Sequence, residues 1–261
     1  MTTGVGPLLR EWRERRRLSQ LQLSAETGVS TRHLSYIETG RSRPSRELVL
    51  FLAEHLDVPL RDRNPLLLAA GYAPVYQETP WMAPAMADVR VLVDQYLAAV
   101  EPYPAVVLDR TWNIVTTNTA ANLFLEGVHP DALSPVPNVL RITMHPRGLA
   151  SRIVDLPALA HHLITRLYRQ QLLTGDERLG ELLDELITYP GIAEVAEQRF
   201  VETANDLAIP FKVTSALGVL SFLSAITTFG TAVDVTLAEL SVETFFPADA
   251  RTRAVLIGTG A

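Results

Sequence analysis

Ser19–Gly40, SQLQLSAETGVSTRHLSYIETG, is the segment that most restricts how this chain can fold. Ser19, followed three residues later by Gln22, forms a capping-box pattern and predicts the start of a helix. Gly28 lies where a residue in the left-handed conformation would end that helix. Ser30 is well placed to cap a second helix. The segment is therefore predicted to form two short helices joined by a tight turn.

The second predicted helix has one apolar and one polar face. Leu34 and Ile37 lie three positions apart and should face inward. The opposite face is polar, capable of hydrogen bonding and flanked by arginines, which suits a helix in the major groove of duplex DNA. The candidate DNA contacts are Thr31, Arg32 and Tyr36 for base edges, Gln20, Ser30, Arg41 and Arg43 for phosphates, and Ser35 on the same outward face.

This segment closely resembles the helix-turn-helix of the XRE (Cro/C1-type) repressor family. Ser24 departs from the family, which usually carries alanine at that position. The alternative interpretation of the segment is an ordinary helical hairpin within a bundle. The resemblance implies an all-α domain of five helices over residues 1–72, with Arg13 of the first helix paired to Glu38 of the recognition helix. The matching positions are Leu18-Ser19-Gln20, Gly28-Val29-Ser30, Leu34-Ser35, Ile37-Glu38, Gly40-Arg41 and Pro44-Ser45.

The charge of the chain is divided unequally. Residues 1–72 hold 11 basic and 8 acidic residues, whereas the remainder holds 12 and 21, so that the net charge is −6. A basic head on an acidic body fits a protein that contacts DNA with one end only. The absence of cysteine excludes disulfides, thiolate catalysis and cysteine-ligated zinc. The N-terminus has no apolar core of signal-peptide length, so we expect a cytoplasmic protein.

Residues 73–84 contain three prolines and no helical pattern, and we interpret them as a linker to a second domain over residues 85–261. That domain opens with β-rich runs at Ala105–Asp109 and Asn113–Thr117, separated by a turn. A helical stretch follows, with a predicted helix at 192–207. Late strands are predicted in the uncharged stretch 213–233, for which we reject a membrane span, and at 237–246 and 253–259.

The opening of the second domain, PAVVLDRTWNIVTTNTAANLFLEG, resembles PAS-type sensor domains. More closely, it resembles the MmyB-like (MltR-like) ligand-binding domain found behind XRE heads, through NVLRITMHPRGLA and, more loosely, to the C-terminus. The predicted class is therefore α+β, with a five-helix head and a PAS-like antiparallel sheet that carries a helical insert. The resemblance implies a pocket for a long apolar ligand, with fatty acids as the associated class.

The candidate ligand-binding residues combine apolar side chains with two polar ones. His145 and Arg147 lie in a short HPRG turn, and an arginine beside a histidine could hold a carboxylate head group. The alternative is a polar turn without a ligand. The same apolar residues would also serve in an ordinary core. The full set is Phe124, His145, Arg147, Leu163, Leu167, Phe222 and Ile226.

No catalytic motif is present, and His161 and His162 are adjacent on a predicted helix, where they would point about 100° apart and make a poor metal pair. We expect no enzyme activity, no metal and no cofactor. The favoured interpretation is a homodimeric transcription regulator that binds an operator in double-stranded DNA, with recognition helices about 34 Å apart. In it, the second domain senses a small hydrophobic ligand. The alternative is a second domain that only mediates dimerisation or protein interaction.

Overall fold

A computed structural model of the chain describes residues 4–197 and 210–259. The chain divides into two compact units. The first consists of Met1–Pro80 with the short segments Leu172–Gly175 and Thr231–Ala238. The second consists of Trp81–Gln171, Asp176–Gly230 and Glu239–Ala261. The domain limits expected from the sequence, at residues 72 and 84, stay a prediction.

The described part of Met1–Pro80 contains five α-helices, as predicted. They are α1 (Val5–Arg15), α2 (Gln20–Thr27), α3 (Thr31–Glu38), α4 (Arg46–His55) and α5 (Leu60–Ala69). Leu34 and Ile37 of α3 are buried in a core that also contains Leu9 and Trp12 of α1. The inward face predicted for this helix is confirmed.

The turn between α2 and α3 forms through local chemistry. The Ser19 hydroxyl accepts a hydrogen bond from the Gln22 backbone N–H, and the Gln22 side chain accepts one from the Ser19 N–H, at 3.1 and 2.8 Å. Gly28 ends α2 at a φ of +72°, in the left-handed region. The Ser30 side chain then accepts from the His33 N–H and begins α3. All of these caps follow the sequence prediction.

The second unit begins with α6 (Ala87–Ala99) and continues with a mixture of strands and helices. The strands are β1 (Ala105–Leu108), β2 (Ile114–Thr117), β3 (Phe211–Ser215), β4 (Gly218–Thr228) and β5 (Ser241–Pro247). The inserted helices are α7 (Asn122–Leu125), α8 (Val139–Met144), α9 (Leu156–Thr174), α10 (Glu177–Leu186) and α11 (Ile192–Glu197), and the last helix is α13 (Ala250–Thr259). Helix α12 (Val235–Glu239) lies almost wholly in the segment Thr231–Ala238, which belongs to the first unit.

Within the described residues the strands form one antiparallel sheet in the order β2-β1-β5-β4-β3. Val106 of β1 lies opposite Thr117 of β2 on one side and Glu243 of β5 on the other. Ser224 of β4 lies opposite Phe245. Residues opposite one another share a face of the sheet, so this register places these five side chains on the same face. The predicted α+β class, with an antiparallel sheet interrupted by helices, is confirmed.

Three secondary-structure predictions need correction or lie partly outside the described residues. Residues 253–259 are helical rather than extended, because the Asp249 side chain accepts a hydrogen bond from the Thr252 N–H at 2.7 Å and starts α13. Residues 237–239 belong to α12, and the strand begins only at Ser241. The helix predicted at 192–207 is observed to Glu197; its remainder lies outside the described residues.

None of the described helices combines the length and apolarity that a bilayer crossing requires.

Candidate functional site

The recognition helix α3 is tied to α1 by a buried ion pair. Arg13 donates from Nε and Nη2 to the two carboxylate oxygens of Glu38, at 2.7 and 2.9 Å. The exposed fractions of the two side chains are 9% and 6%. The Glu38 hydrogen bond raises the pKa of the Arg13 guanidinium above its ordinary value. Gln20 also donates to Glu38, at 2.8 Å. The predicted pairing of Arg13 with Glu38 is confirmed.

The candidate base-contacting residues come together on the solvent side of α3. Arg32 Nε donates to the Tyr36 hydroxyl at 3.1 Å, and its guanidinium lies 5.4 Å from the centre of the Tyr36 ring. Arg41 lies on the same ring at 5.9 Å. Thr31 and Ser35 are half-buried beside them. The result is a polar face with two cations and several hydrogen-bonding groups, which stays a predicted DNA contact surface.

The candidate phosphate-contacting residues differ in whether their polar groups already have partners within the protein. Arg41 is exposed, but Arg43 Nε donates to the Ala70 carbonyl at 2.9 Å and therefore also fastens the end of α5. The Gln20 amide is bound to Glu38, and the Ser30 hydroxyl accepts the helix-capping bond of α3. Phosphate contacts by these residues stay predictions.

The second unit encloses a cavity of about 100 Å³ between one face of the sheet and the inserted helices. Its wall is mainly apolar. On the same kind of measure one water occupies about 10–15 Å³, so the space exceeds that of an isolated buried water. The lining residues are Val106, Trp112, Ile114, Thr117, Ala121, Phe124, Leu125, Val139, Leu140, Ile142, Thr143, Leu149, Leu159, His162, Leu163, Arg166, Phe211, Ser224, Glu243 and Phe245.

One side of this cavity is charged. Arg166 of α9 lies 4.0 Å from the Glu243 carboxylate of β5, and its guanidinium lies 4.3 Å from the centre of the Trp112 ring. The Arg166 side chain is 34% exposed and that of Glu243 is 9% exposed. Burial lowers the pKa of Arg166 and, together with the neighbouring Arg166, that of His162. The cavity thus combines an apolar interior with a polar end that reaches solvent.

The structure brings only part of the predicted ligand-binding set to the cavity. Phe124 and Leu163 line it. Phe222 and Leu167 are fully buried in the surrounding core, with the ring centres of Phe222 and Phe124 5.4 Å apart. Ile226 is 45% exposed and outside the lining.

The polar residues proposed from the HPRG turn lie outside the lining of this cavity. Arg147 is exposed and paired with Asp131, and the His145 ring contacts the Tyr189 ring at a centre distance of 5.1 Å. The sequence reasoning missed His162, Arg166 and Glu243. The available signal was the spacing on α9, since residues 162, 163 and 166 lie on neighbouring faces of one helix.

Among residues 4–197 and 210–259 no group of three or more His, Cys, Asp or Glu side chains is arranged to hold a metal ion. The wall of the cavity is apolar except for a few polar and charged side chains, among them His162, Arg166 and Glu243. An apolar cavity with a few polar groups in its wall is typical of small-molecule binding sites.

Comparison with known families gives two matches. The helix-turn-helix family profile matches residues 9–62. The profile described as the MmyB-like transcription regulator ligand binding domain matches residues 89–257. A search of curated proteins finds no match. Both matched families are domains of transcription regulators rather than enzymes. The chain belongs to the MmyB-like transcription regulators and is a DNA-binding regulator with an XRE-type helix-turn-helix head and a C-terminal ligand-binding domain.

Proposed function

We propose that this regulator senses a small hydrophobic ligand of the fatty-acid class and that the ligand changes its affinity for an operator. The observation that carries the proposal is the cavity of the second unit, whose wall is apolar and whose charged end reaches solvent. Burial of an alkyl chain against Phe124, Leu163 and Phe245 is favourable by about 0.8 kcal/mol for each CH₂ group. A head group at the solvent-facing end keeps its hydration or gains hydrogen bonds.

Mass spectrometry of the purified protein, first native and then denatured, tests this proposal together with analysis of an organic extract of the same sample. A discrete mass that is lost on denaturation, with a fatty-acid-like species in the extract, is the expected result. A clean apo mass, combined with no binding of added amphiphiles, contradicts it. That result would favour a dimerisation or interaction module, for which the exposed Val91 and Leu92 of α6 are the first residues to examine.

We further propose that the regulator acts as a cytoplasmic homodimer whose two α3 helices enter successive major grooves about 34 Å apart. The division into a head at 1–72, a linker at 73–84 and a ligand-binding domain at 85–261 is part of this proposal. The placement of α3 in the major groove is supported by the polar face of this helix and by the exposed arginines beside it. A footprint with two half-sites one helical turn apart is the expected result, and a single unpaired half-site would contradict the dimer.

Substitution of Arg32 and of Arg41 distinguishes a contact to a base from a contact to a phosphate. If Arg32 reads a guanine, Arg32→Ala should cost about 1–3 kcal/mol on the operator and relax specificity at one position. Arg41→Ala, the matched control, should weaken operator and random DNA equally and flatten the salt dependence. Binding measured by fluorescence anisotropy on both sequences decides this. Equal losses on the two DNAs for Arg32→Ala would make Arg32 a phosphate contact.

The effect of the ligand on DNA binding is bounded by linkage. The factor by which saturating ligand changes operator affinity must equal the factor by which operator changes ligand affinity. Both factors can be measured by titrating each partner in the absence and presence of the other. A ligand that binds the cavity and leaves operator affinity unchanged would contradict the sensing role while preserving the binding site.

A further inference from the structure

Glu243 is buried without a hydrogen bond from any described residue. Its side chain is 9% exposed, and its carboxylate lies 4.0 Å from the Arg166 guanidinium. A charged hydrogen bond between a guanidinium and a carboxylate spans about 2.7–2.9 Å, so this pair is in electrostatic contact but not hydrogen bonded. A carboxylate in a largely buried position is costly unless water or a ligand donates to it. Both side chains line the cavity, so the missing partner can come from a molecule bound there.

The surroundings restrict what that molecule can offer. Arg166 needs an acceptor, because its guanidinium has only donors. Glu243, when ionised, needs a donor. The Arg166 guanidinium lies over the face of the Trp112 ring in a cation–π contact. The indole N–H of Trp112 already donates to the Gln170 side chain, at 2.8 Å. A head group that both accepts and donates can satisfy the pair at once.

We propose, on the basis of the function proposed above, that Arg166 and Glu243 form a head-group subsite that binds a carboxylic acid together with its proton. The carbonyl oxygen of the ligand accepts from Arg166. The O–H of the ligand's carboxylic acid donates to the Glu243 carboxylate, so that one proton is shared between two carboxyl groups. At neutral pH the free ligand is a carboxylate, and this proton is taken from solvent on binding.

The charge of the cavity is the reason for proton uptake. Arg166 and Glu243 together are neutral, so an ionised carboxylate would add an unbalanced negative charge beside Glu243. Like charges this close cannot both be ionised at low cost, and one carboxyl group retains its proton. An alcohol supplies both a donor and an acceptor with no change of protonation. An ester supplies acceptors only and leaves Glu243 without a donor.

Other titratable groups near the pair are few among the lining residues. His162 of α9 is the remaining one, and its pKa is lowered by burial and by Arg166. The sheet contributes Val106, Ser224 and Phe245 to this side, none of which titrates in the range considered. An anionic ligand would also favour the protonated form of His162, whose proton would come from solvent, so the experiment must separate that residue from Glu243.

Isothermal titration calorimetry of the full chain with decanoic acid, decan-1-ol and methyl decanoate tests the subsite between about pH 6 and 8. Two buffers of different ionisation enthalpy give the number of protons taken up. Decanoic acid should take up about one proton, and its Kd should rise about tenfold per pH unit, since the free acid titrates far below this range, near about 4. Decan-1-ol should bind without proton uptake, and methyl decanoate should bind about tenfold more weakly than the alcohol.

Four variants assign the effect to residues. Glu243→Gln should abolish proton uptake and make the Kd of decanoic acid independent of pH, while retained binding of decan-1-ol shows that the fold is intact. His162→Gln should keep the proton uptake. Arg166→Met should weaken decanoic acid at least about tenfold, whereas Arg147→Met, which removes an exposed arginine outside the lining, should leave its Kd unchanged.

The outcomes separate this inference from the function on which it depends. Proton uptake that persists in Glu243→Gln, or that disappears in His162→Gln, overturns the assignment to Glu243. Decanoic acid that binds the wild-type protein with no proton uptake overturns the subsite and preserves the sensing function. Failure of all three probes to bind the wild-type protein overturns the proposed function and the subsite with it.

Discussion

Replacement of Glu38 by alanine is the most direct test of how the recognition helix is held. In Glu38→Ala the Arg13 guanidinium loses both of its carboxylate hydrogen bonds and stays in a site where 9% of its side chain is exposed. Gln20 loses its acceptor as well. Arg13 keeps one hydrogen bond to the Leu18 carbonyl, at 2.7 Å. The buried cation then keeps only the exposed Glu14 carboxylate, 3.8 Å from its Nη2, as a charge partner.

The expected loss follows from that burial. Removal of one partner of a buried pair costs about 3–5 kcal/mol. No reduction for solvent screening applies, because both side chains are at least nine-tenths buried. Stabilities of small domains are about 5–15 kcal/mol, so the opening free energy of the helices α1 and α3 should fall by a large fraction. Arg13→Met combined with Glu38→Leu should recover most of the loss, since an apolar pair leaves no unpaired charge.

Hydrogen exchange of the full chain, measured on peptides from α1 and α3, gives the opening free energy of these helices. Glu11→Ala is the matched control, because Glu11 pairs with Arg15 on the surface and its side chain is 54% exposed. An exposed pair of this kind contributes about 0.2–1 kcal/mol. If Glu38→Ala lowers protection no more than Glu11→Ala does, the argument that this pair holds the recognition helix is refuted.

Three further predictions concern other parts of the molecule. In Gly6→Ala the added Cβ would lie 2.3 Å from the Ile37 carbonyl oxygen, so urea unfolding should show a loss of at least about 1–3 kcal/mol. Phe124→Ala removes the ring that contacts three other phenylalanines and should cost about 3–5 kcal/mol in the same assay. The Arg141 hydrogen bonds lower the pKa of Glu185, so the stability they provide is complete above about pH 5 and lost as the pH falls through the lowered value. Glu185→Gln should therefore lose less stability than the wild-type protein in acid unfolding; an equal loss would contradict this.

Local chemistry made the head predictable. The cap of α2 needs only Ser19 and Gln22, three residues apart, and the turn needs Gly28 at a positive φ. The pairing of Arg13 with Glu38 spans 25 residues and was implied by the family resemblance rather than by spacing. The cap and the turn depend on short segments whose residue types permit few other structures.

The C-terminus shows where such reasoning fails. Residues 253–259 contain valine and isoleucine and were predicted to be a strand. The Asp249 side chain instead caps a helix there, and Leu256 packs into the core of the second unit. A β-rich composition describes a preference that tertiary packing overrides. The helix start signal was present in the sequence, but it was a single residue beside a longer run of strand-forming types.

The candidate site could be predicted less well than the fold because its polar end is built from distant segments. Arg147 and Arg166 are both arginines close to a histidine in sequence, and nothing local distinguishes them. What distinguishes them is that Arg166 lies over Trp112 and faces Glu243, which is 77 positions further along the chain. Glu243 in turn faces the cavity because β5 pairs with β1 in one register, and a shift by one residue would turn it to the other face. An apolar cavity can be expected from leucines and phenylalanines, but the chemistry that selects its ligand depends on which charged side chains the sheet register and α9 bring together.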